Sequence, residues 1–423
     1  MKFVFVHMGI EFDGDSLKQR GLGGTETALI GVSRELAALP DNEVHVFTNT
    51  PKEACFDGVH YHPLAQLGPW AKSNHTDILI SIRQWLPFWM PIKARHRVYF
   101  SPDSYDQPFL QRAVEVALPV KGESTAVPLF KPQEFFSALD SIFCVGQWQA
   151  DQFVSKLQFP QDKIFVTANG VFLENFQPLA LEERKRHLIY SSTPFRGLDH
   201  LIRYFSELKA EGTDLNLEIC SGMQVYGLSD EDNKKGYGHL FEAIKQLGAI
   251  SHGSIKQSEL AKIMCQGLLC TYPNTFEETF CISVLEAQAA GLPVITSAKG
   301  ALLERVSSGV DGLLIKGEPA EESYKRDFIA AVKSLSQDVN RWQSMSQAAV
   351  QKAQKFSYKN LAQQWMAYFD SLNIYDIEAS KKDIPNFGDY LVDLNDGKNT
   401  KLSINKESIL HILQQYFSLF GFQ

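Results

Sequence analysis

No stretch of this 423-residue chain approaches the ~20 consecutive apolar residues that a bilayer-spanning helix needs. No Cys-x-x-Cys pair occurs among its six cysteines, and most of them lie in or beside apolar runs. Buried, reduced thiols and a cytoplasmic setting follow, not a disulfide scaffold. Positive charge is not in excess: 41 Lys and Arg face 49 Asp and Glu, a formal net charge of −8. That balance argues against a nucleic-acid binder working through a broad basic face. Solenoid repeats, low-complexity tracts, a G-x-G-x-x-G fingerprint and a Walker lysine are all missing. The opening Met1-Lys-Phe-Val-Phe-Val-His-Met8 is too short and too interrupted for a signal peptide and reads as a first strand.

What is present is apolar enough to fold: 44% of the residues are hydrophobic, and the length suits two or three domains. Short apolar strands alternate with longer amphipathic segments. In the first half, strands are expected at 3–7, 44–48, 77–82, 98–100, 141–145 and 163–167, with helices over 25–39 and 147–157. The second half restarts with strands at 187–192, 215–220, 249–252, 268–272, 293–296 and 312–315 and a helix over 198–209. Three more helices are expected at 323–336, 341–355 and 359–372. The β-α alternation, run twice, predicts two parallel-sheet α/β domains. Between them, Asn169-Gly-Val and Pro178 punctuate a linker. After residue 374 the composition turns polar before an apolar helical segment at 406–420, which reads as an appended module.

Two segments carry the chemistry. Gly21-Leu-Gly-Gly24 follows the first strand and its connection and opens a helix at Thr25. Glycines there admit close backbone approach, and free amides at a helix start favour phosphate. A flexible loop capping the helix is the plain alternative. In Pro273-Asn-Thr-Phe-Glu-Glu-Thr-Phe-Cys-Ile-Ser-Val-Leu-Glu-Ala-Gln-Ala-Ala-Gly-Leu-Pro-Val-Ile-Thr296, a strand ends near Pro273 and a helix runs from about Ile282 to Ala290. Glu278 then stands at the helix mouth and Glu286 inside it, at strand C-termini where α/β ligands sit. The amides of Phe280, Cys281 and Ile282 are placed to hold phosphate oxygens. An isolated glutamate pair would instead be a dipole-favoured charge and a solvated helix residue.

The pair is not isolated. Glu278-x7-Glu286 with the following Ala-x-Ala-Ala-Gly-x-Pro-Val-Ile resembles the signature of retaining GT-B glycosyltransferases, glycosyltransferase family 4. Four other segments resemble that family in the same order: Gly23-Gly-Thr-Glu-Thr27, Asn169-Gly-Val-x4-Phe176-x-Pro178, Tyr190-Ser-Ser-Thr-Pro-Phe-Arg-Gly-Leu-Asp-His-Leu-Ile202, and His252-Gly-x4-Ser-Glu-Leu-Ala261. The resemblance covers about residues 1–372 and implies a GT-B architecture of two Rossmann-like domains facing across a cleft. Residues 1–170 would form the acceptor-side domain and 171–356 the nucleotide-sugar domain. Residues 357–373 would be a helix crossing back, and 374–423 a C-terminal extension of unknown role. It further implies that Glu286 accepts ribose hydroxyls, that Glu278 contacts the donor sugar, and that Arg196 neutralises the diphosphate. Gly23, Gly24, Thr25, Ser192, Gly222, Ile255, Phe280, Cys281 and Ile282 would complete the donor site, with backbone groups around Ile255 reading the base.

Two departures stand out. The family often has an Arg five or six residues before the position of Arg196, where this chain has Tyr190 or Ser191; Lys256 is an unplaced substitute. Where many members present a His, this chain offers Asp103 in Ser101-Pro-Asp-Ser104, either orienting the acceptor or acting as base, against a simple turn. Asp13-Gly-Asp15 reads as an acceptor contact or a plain loop and His60-x-His62 as strand histidines, so no metal and no cofactor are expected. Trp85-Leu-Pro-Phe-Trp-Met-Pro-Ile-Lys-Ala-Arg-His-Arg97 reads as a buried aromatic turn with a solvated basic edge, the alternative being peripheral contact with an anionic membrane. The expected function is metal-independent, retaining hexosyl transfer from an NDP-sugar to a glycan, lipid-linked or other hydroxyl acceptor, in polysaccharide, glycan or glycolipid synthesis. A degenerate nucleotide-sugar or partner binder and a GT-B epimerase are the alternatives.

Overall fold

Continuous apolar runs such as Phe3-Val-Phe-Val6 suit strands covered on both faces, and the computed structural model places them so. It describes residues 1–120, 123–393 and 401–422. By contact, the chain divides into one unit of residues 1–14, 33–167 and 363–423, and a second of residues 15–32 and 168–362.

The first unit is built on a sheet of eight strands. In chain order these are β1 (Lys2–His7), β2 (Glu43–Thr48), β3 (Ala54–Phe56), β4 (Val59–Pro63), β5 (Thr76–Ile82) and β6 (Ala94–Phe100). After a separate hairpin, β7 (Val114–Val120) with β8 (Glu123–Phe130), come β9 (Ser141–Cys144) and β10 (Ile164–Val166). The spatial order is β10-β9-β6-β5-β1-β2-β4-β3, all parallel except the edge strand β3, which runs antiparallel to β4. Every residue of β5 is buried. The hairpin β7–β8 was not expected, because Pro119 and Pro128 interrupt its apolar runs, and proline is disfavoured inside strands.

The second unit holds a six-stranded sheet of β11 (His187–Ser191), β12 (Asn216–Cys220), β13 (Ile250–Ser251), β14 (Leu269–Tyr272), β15 (Val294–Ser297) and β16 (Gly312–Ile315). Its order is β13-β12-β11-β14-β15-β16, with every pairing parallel. That order reverses direction between β11 and β14. The loops leaving those two strands therefore part at a topological switch point, where doubly wound sheets leave room for ligands. Helices Leu198–Ala210, Gln257–Gln266, Ile282–Ala289, Glu322–Gln337 and Val339–Gln354 join or cover these strands.

Two segments group differently from the sequence-based division. Residues 15–32, with the glycine loop, belong by contact to the second unit. The segment 374–423, read as appended, is integral to the first unit. Ile404, Ile409, Leu413, Phe417, Phe420 and Phe422 are buried in one cluster with Leu67, Trp89 and Phe130. The amide of Gly68 donates to the carbonyl of Phe420 at 2.7 Å, and Ser380 bridges Ala94 at the start of β6. Residues 394–400 and 423 of this segment lie outside the described residues. A further antiparallel pair, β17 (Tyr390–Asp393) with β18 (Lys401–Ile404), precedes the final helix Lys406–Ser418.

The Trp85–Arg97 run is interior. Trp85 is fully buried and stacks on Tyr99 at 3.8 Å, while Trp89 stacks on Phe135 at 3.8 Å. The basic edge is not solvated as expected: Arg97 is buried against the carbonyls of Ile92, Ala94 and Ser380, and Arg95 reaches Asp77 and the carbonyl of Tyr375. A membrane-facing reading of this run fails because its aromatic anchors are already spent on the core.

Candidate active site

Two loops meet above the second sheet. The turn after β11 carries Ser192 to Gly197, and the turn after β14 carries Pro273 to Cys281. Gly197 has φ = +101°, and a Cβ there would come within 2.0 Å of the Pro273 carbonyl oxygen. Only glycine lets these loops approach so closely. The result sets the Arg196 guanidinium against Glu278, with Nη1 donating to Oε1 at 2.9 Å. Phe276 lies under the guanidinium at 4.4 Å, Phe195 flanks it at 5.4 Å, and Nη2 donates to the Tyr226 hydroxyl at 3.3 Å. Burial works against the charge of Arg196, yet the neighbouring Glu278 carboxylate holds its pKa above the ordinary value. The guanidinium is therefore a fixed positive charge. Its Nε is buried without a partner among the described residues.

Glu278 is itself buried and receives a second hydrogen bond, from the Tyr272 hydroxyl to Oε1 at 2.6 Å. Three residues on, Cys281 takes φ = +71° as the chain enters the helix Ile282–Ala289. A left-handed cysteine is a costly choice that aims the turn before the first helical amides. Its thiol is fully covered, and burial pushes its pKa well up, so it is no nucleophile.

Glu286 lies buried one turn inside that helix, and Gln257 donates to its Oε1 at 2.8 Å. Burial outweighs that bond and pushes the carboxyl up to about 7. The glycine loop closes the arrangement: a Cβ at Gly21 would meet the Ile255 carbonyl at 2.7 Å, one at Gly24 would meet Ile282 at 3.3 Å, and one at Gly23 would meet the Val225 carbonyl at 3.4 Å. Thr25 is buried. Gly222 would carry a Cβ 3.3 Å from the Ser254 amide, and the Ser192 hydroxyl donates to Tyr272 at 3.4 Å. The second unit thus gathers Arg196, Glu278, Glu286, Cys281, Ile282, Ile255 and the glycine loop around one helix mouth.

Residues 171–352 match the family model described as glycosyl transferases group 1. That match lies wholly within the second unit. Over 184 residues the chain is 32% identical to D-inositol 3-phosphate glycosyltransferase of Corynebacterium aurimucosum, spanning 43% of this chain and 41% of that one. It therefore matches well under half the length of that relative. Among solved structures, sucrose-phosphate synthase from Thermosynechococcus elongatus superposes with a TM-score of 0.64 at 16% identity, over 88% of this chain and 99% of that one. HepE of Anabaena, solved in complex with UDP-glucose, does so with a TM-score of 0.63 at 16% identity, over 88% and 100%. These likenesses establish the GT-B fold.

Away from this helix mouth, the other expected residues fall as follows. Asp103 lies in the first unit, after β6, clamped by Arg83 through Nε to Oδ2 at 2.5 Å and Nη2 to Oδ1 at 2.8 Å. Lys256 pairs with Glu259 at 3.4 Å at the start of its own helix. Asp15 pairs with Lys18 at 3.2 Å, as a loop residue would. Tyr272, Tyr226, Phe276 and Gln257 were not singled out from the sequence. An apolar strand end and a polar helix start carry no mark of the carboxylate each will meet.

Proposed function

We propose that this protein is a retaining glycosyltransferase that moves a sugar from an NDP-sugar to an acceptor hydroxyl, in glycan, polysaccharide or glycolipid synthesis. The observation that carries this reading is the buried Arg196–Glu278 pair beside the first amides of the 282–289 helix, within a domain matching the family. As the anomeric C–O bond breaks, its electron pair goes to the diphosphate. Arg196 and the helix amides meet that growing negative charge, and Glu278 faces the positive charge left on the sugar. The acceptor oxygen attacks from the face the diphosphate leaves, and its proton goes to a departing phosphate oxygen. Glu286 takes the ribose hydroxyls, and backbone groups around Ile255 read the base. In the first unit, we assign Asp103 to orienting the acceptor hydroxyl, with Arg83 fixing its carboxylate. Charge neutralisation rests on Arg196 and the amides, so no metal enters the proposed reaction. A cytoplasmic setting is part of the same reading; no helix among the described residues is long and apolar enough to cross a membrane.

The test is incubation with UDP-, GDP- and ADP-glucose, following NDP release and sugar products. UDP-glucose is the donor to try first, given its presence in the HepE structure. NDP release with free or transferred sugar supports the transferase. Binding without turnover would leave a nucleotide-sugar-binding protein, and interconverted NDP-sugars would make it an epimerase.

A further inference from the structure

We propose that Tyr272 is a positioning residue for Glu278: its phenol fixes the carboxylate that would face the donor sugar. This rests on the transferase reading above. Tyr272 ends β14, whose four residues are all buried, and nothing about strand packing there asks for a hydroxyl. A buried hydroxyl costs stability unless it is bonded. Here it donates to Glu278 Oε1 at 2.6 Å, the same oxygen that Arg196 holds at 2.9 Å.

Direction is settled on both sides of the phenol. The Ser192 hydroxyl donates to its oxygen at 3.4 Å, and the Tyr190 ring packs edge-on at 5.8 Å and 69°. Burial pushes the Tyr272 phenol well up, so the proton stays on it and points at the carboxylate. Two donors converging on Oε1, one from a strand end and one from a loop, restrict the rotation of the carboxylate. Arg196 is expected to give up part of its bond to Glu278 when a diphosphate arrives. Tyr272, in the strand rather than the loop, has no such competitor. It is then the contact that keeps Glu278 in place during bond cleavage, when a displaced charge costs most.

The experiment compares wild type, Tyr272→Phe, Glu278→Gln and the double variant, using UDP-glucose hydrolysis, UDP calorimetry and thermal melting. Tyr272→Phe should melt cooperatively and bind UDP within about twofold of wild type. Its kcat should fall about ten- to a hundredfold with little change in KM, the span expected for losing a hydrogen bond to a charged group. In the Glu278→Gln background the same change should cost nothing further. Wild-type kcat in Tyr272→Phe would overturn the proposal, as would losses that add in the double variant. Equal losses of kcat, UDP affinity and cooperative melting would also overturn it, by marking the hydroxyl as a packing device. If wild type turns over none of UDP-, GDP- and ADP-glucose, the transferase reading itself falls and takes this role with it.

Discussion

On the proposed reading, a guanidinium already paired with a carboxylate exchanges partners when a diphosphate enters, and Arg196 would make that exchange. Phe276 and Phe195 cover its plane, so the charge stays in place while Glu278 is traded for phosphate. Arg196→Ala should lower turnover by about 10²–10³ and donor affinity far less, because charge grows on the leaving oxygen only during cleavage. Arg196→Lys should recover part of the loss. Equal kcat in the three proteins would show that Arg196 is only a turn residue. Glu286 supports a pH prediction. Its unfolded carboxyl loses its proton near 4.5 and its folded one near 7, so burial costs stability as pH rises across that window. Near neutral pH it is partly protonated, while on the proposed reading ribose hydroxyls would favour the carboxylate. UDP binding should therefore release a fraction of a proton, read as a buffer-dependent heat in calorimetry. Buffer-independent heat, or unchanged affinity in Glu286→Ala, would remove Glu286 from the site.

Between β11 and the 198–210 helix, one turn decides whether the site exists. Gly197 has a left-handed φ and no room for a Cβ against the Pro273 carbonyl. Gly197→Ala must push the two loops apart, because the obstructing atom is backbone and cannot rotate away. The loss in stability should be on the order of 1–3 kcal/mol, and UDP-glucose hydrolysis should fall with it as Arg196 leaves Glu278. Denaturant melts and kcat together check this; an alanine variant with wild-type values would mean that the loops have slack. At the element level the sequence was readable wherever apolar runs were continuous. β1, β5, β9, β11, β12, β14, β15 and β16 lie within one or two residues of expectation. β6 begins four residues earlier than expected, at Ala94, because Arg95 and Arg97 hid its start. Their charges are met by Asp77 and by carbonyls of the C-terminal segment, partners far away in sequence.

Across the first unit, the last fifty residues are structural. Removing 374–423 would expose Trp89, Phe130 and Leu67 and discard seven side chains that are buried and apolar among the described residues. At roughly 1.5–3 kcal/mol for each side chain, that loss meets or exceeds the net stability of an ordinary domain. The truncated protein should therefore be insoluble or melt without cooperativity, and Leu413→Ala should cost about 2–5 kcal/mol. A soluble, cooperatively melting truncation would return the segment to the status of an appendage. The same unit should weaken in mild acid. His45 bonds His62 at 3.0 Å and Glu43 at 2.7 Å, with His60 stacked on it at 5.2 Å and Glu53 beside His62. Lys2 pairs with Glu43 from β1. Burial first, against the pull of the glutamates, lowers the pKa of both His45 and His62. Both are thus fully neutral and compatible with the fold above pH ~6.5, while below it the unfolded chain binds protons the folded one resists. Urea midpoints should fall between pH 7.5 and 5.5, and less so in His62→Gln; identical falls would place the sensitivity elsewhere.

By itself the sequence determined the α/β class, most of the parallel strands, the resemblance to GT-B glycosyltransferases, and Arg196, Glu278 and Glu286 as candidate residues. Each of these is written locally, in apolar runs of strand length or in residues a few positions apart. Only the tertiary structure decided that Tyr272 and Arg196 share one oxygen of Glu278, that Gln257 meets Glu286, and that Arg83 occupies Asp103. It also decided that a polar-looking tail completes a core. Those pairings join residues that lie from 6 to more than 300 positions apart in the chain. They are made by strand order and loop approach, and no local pattern encodes which buried polar group will face which.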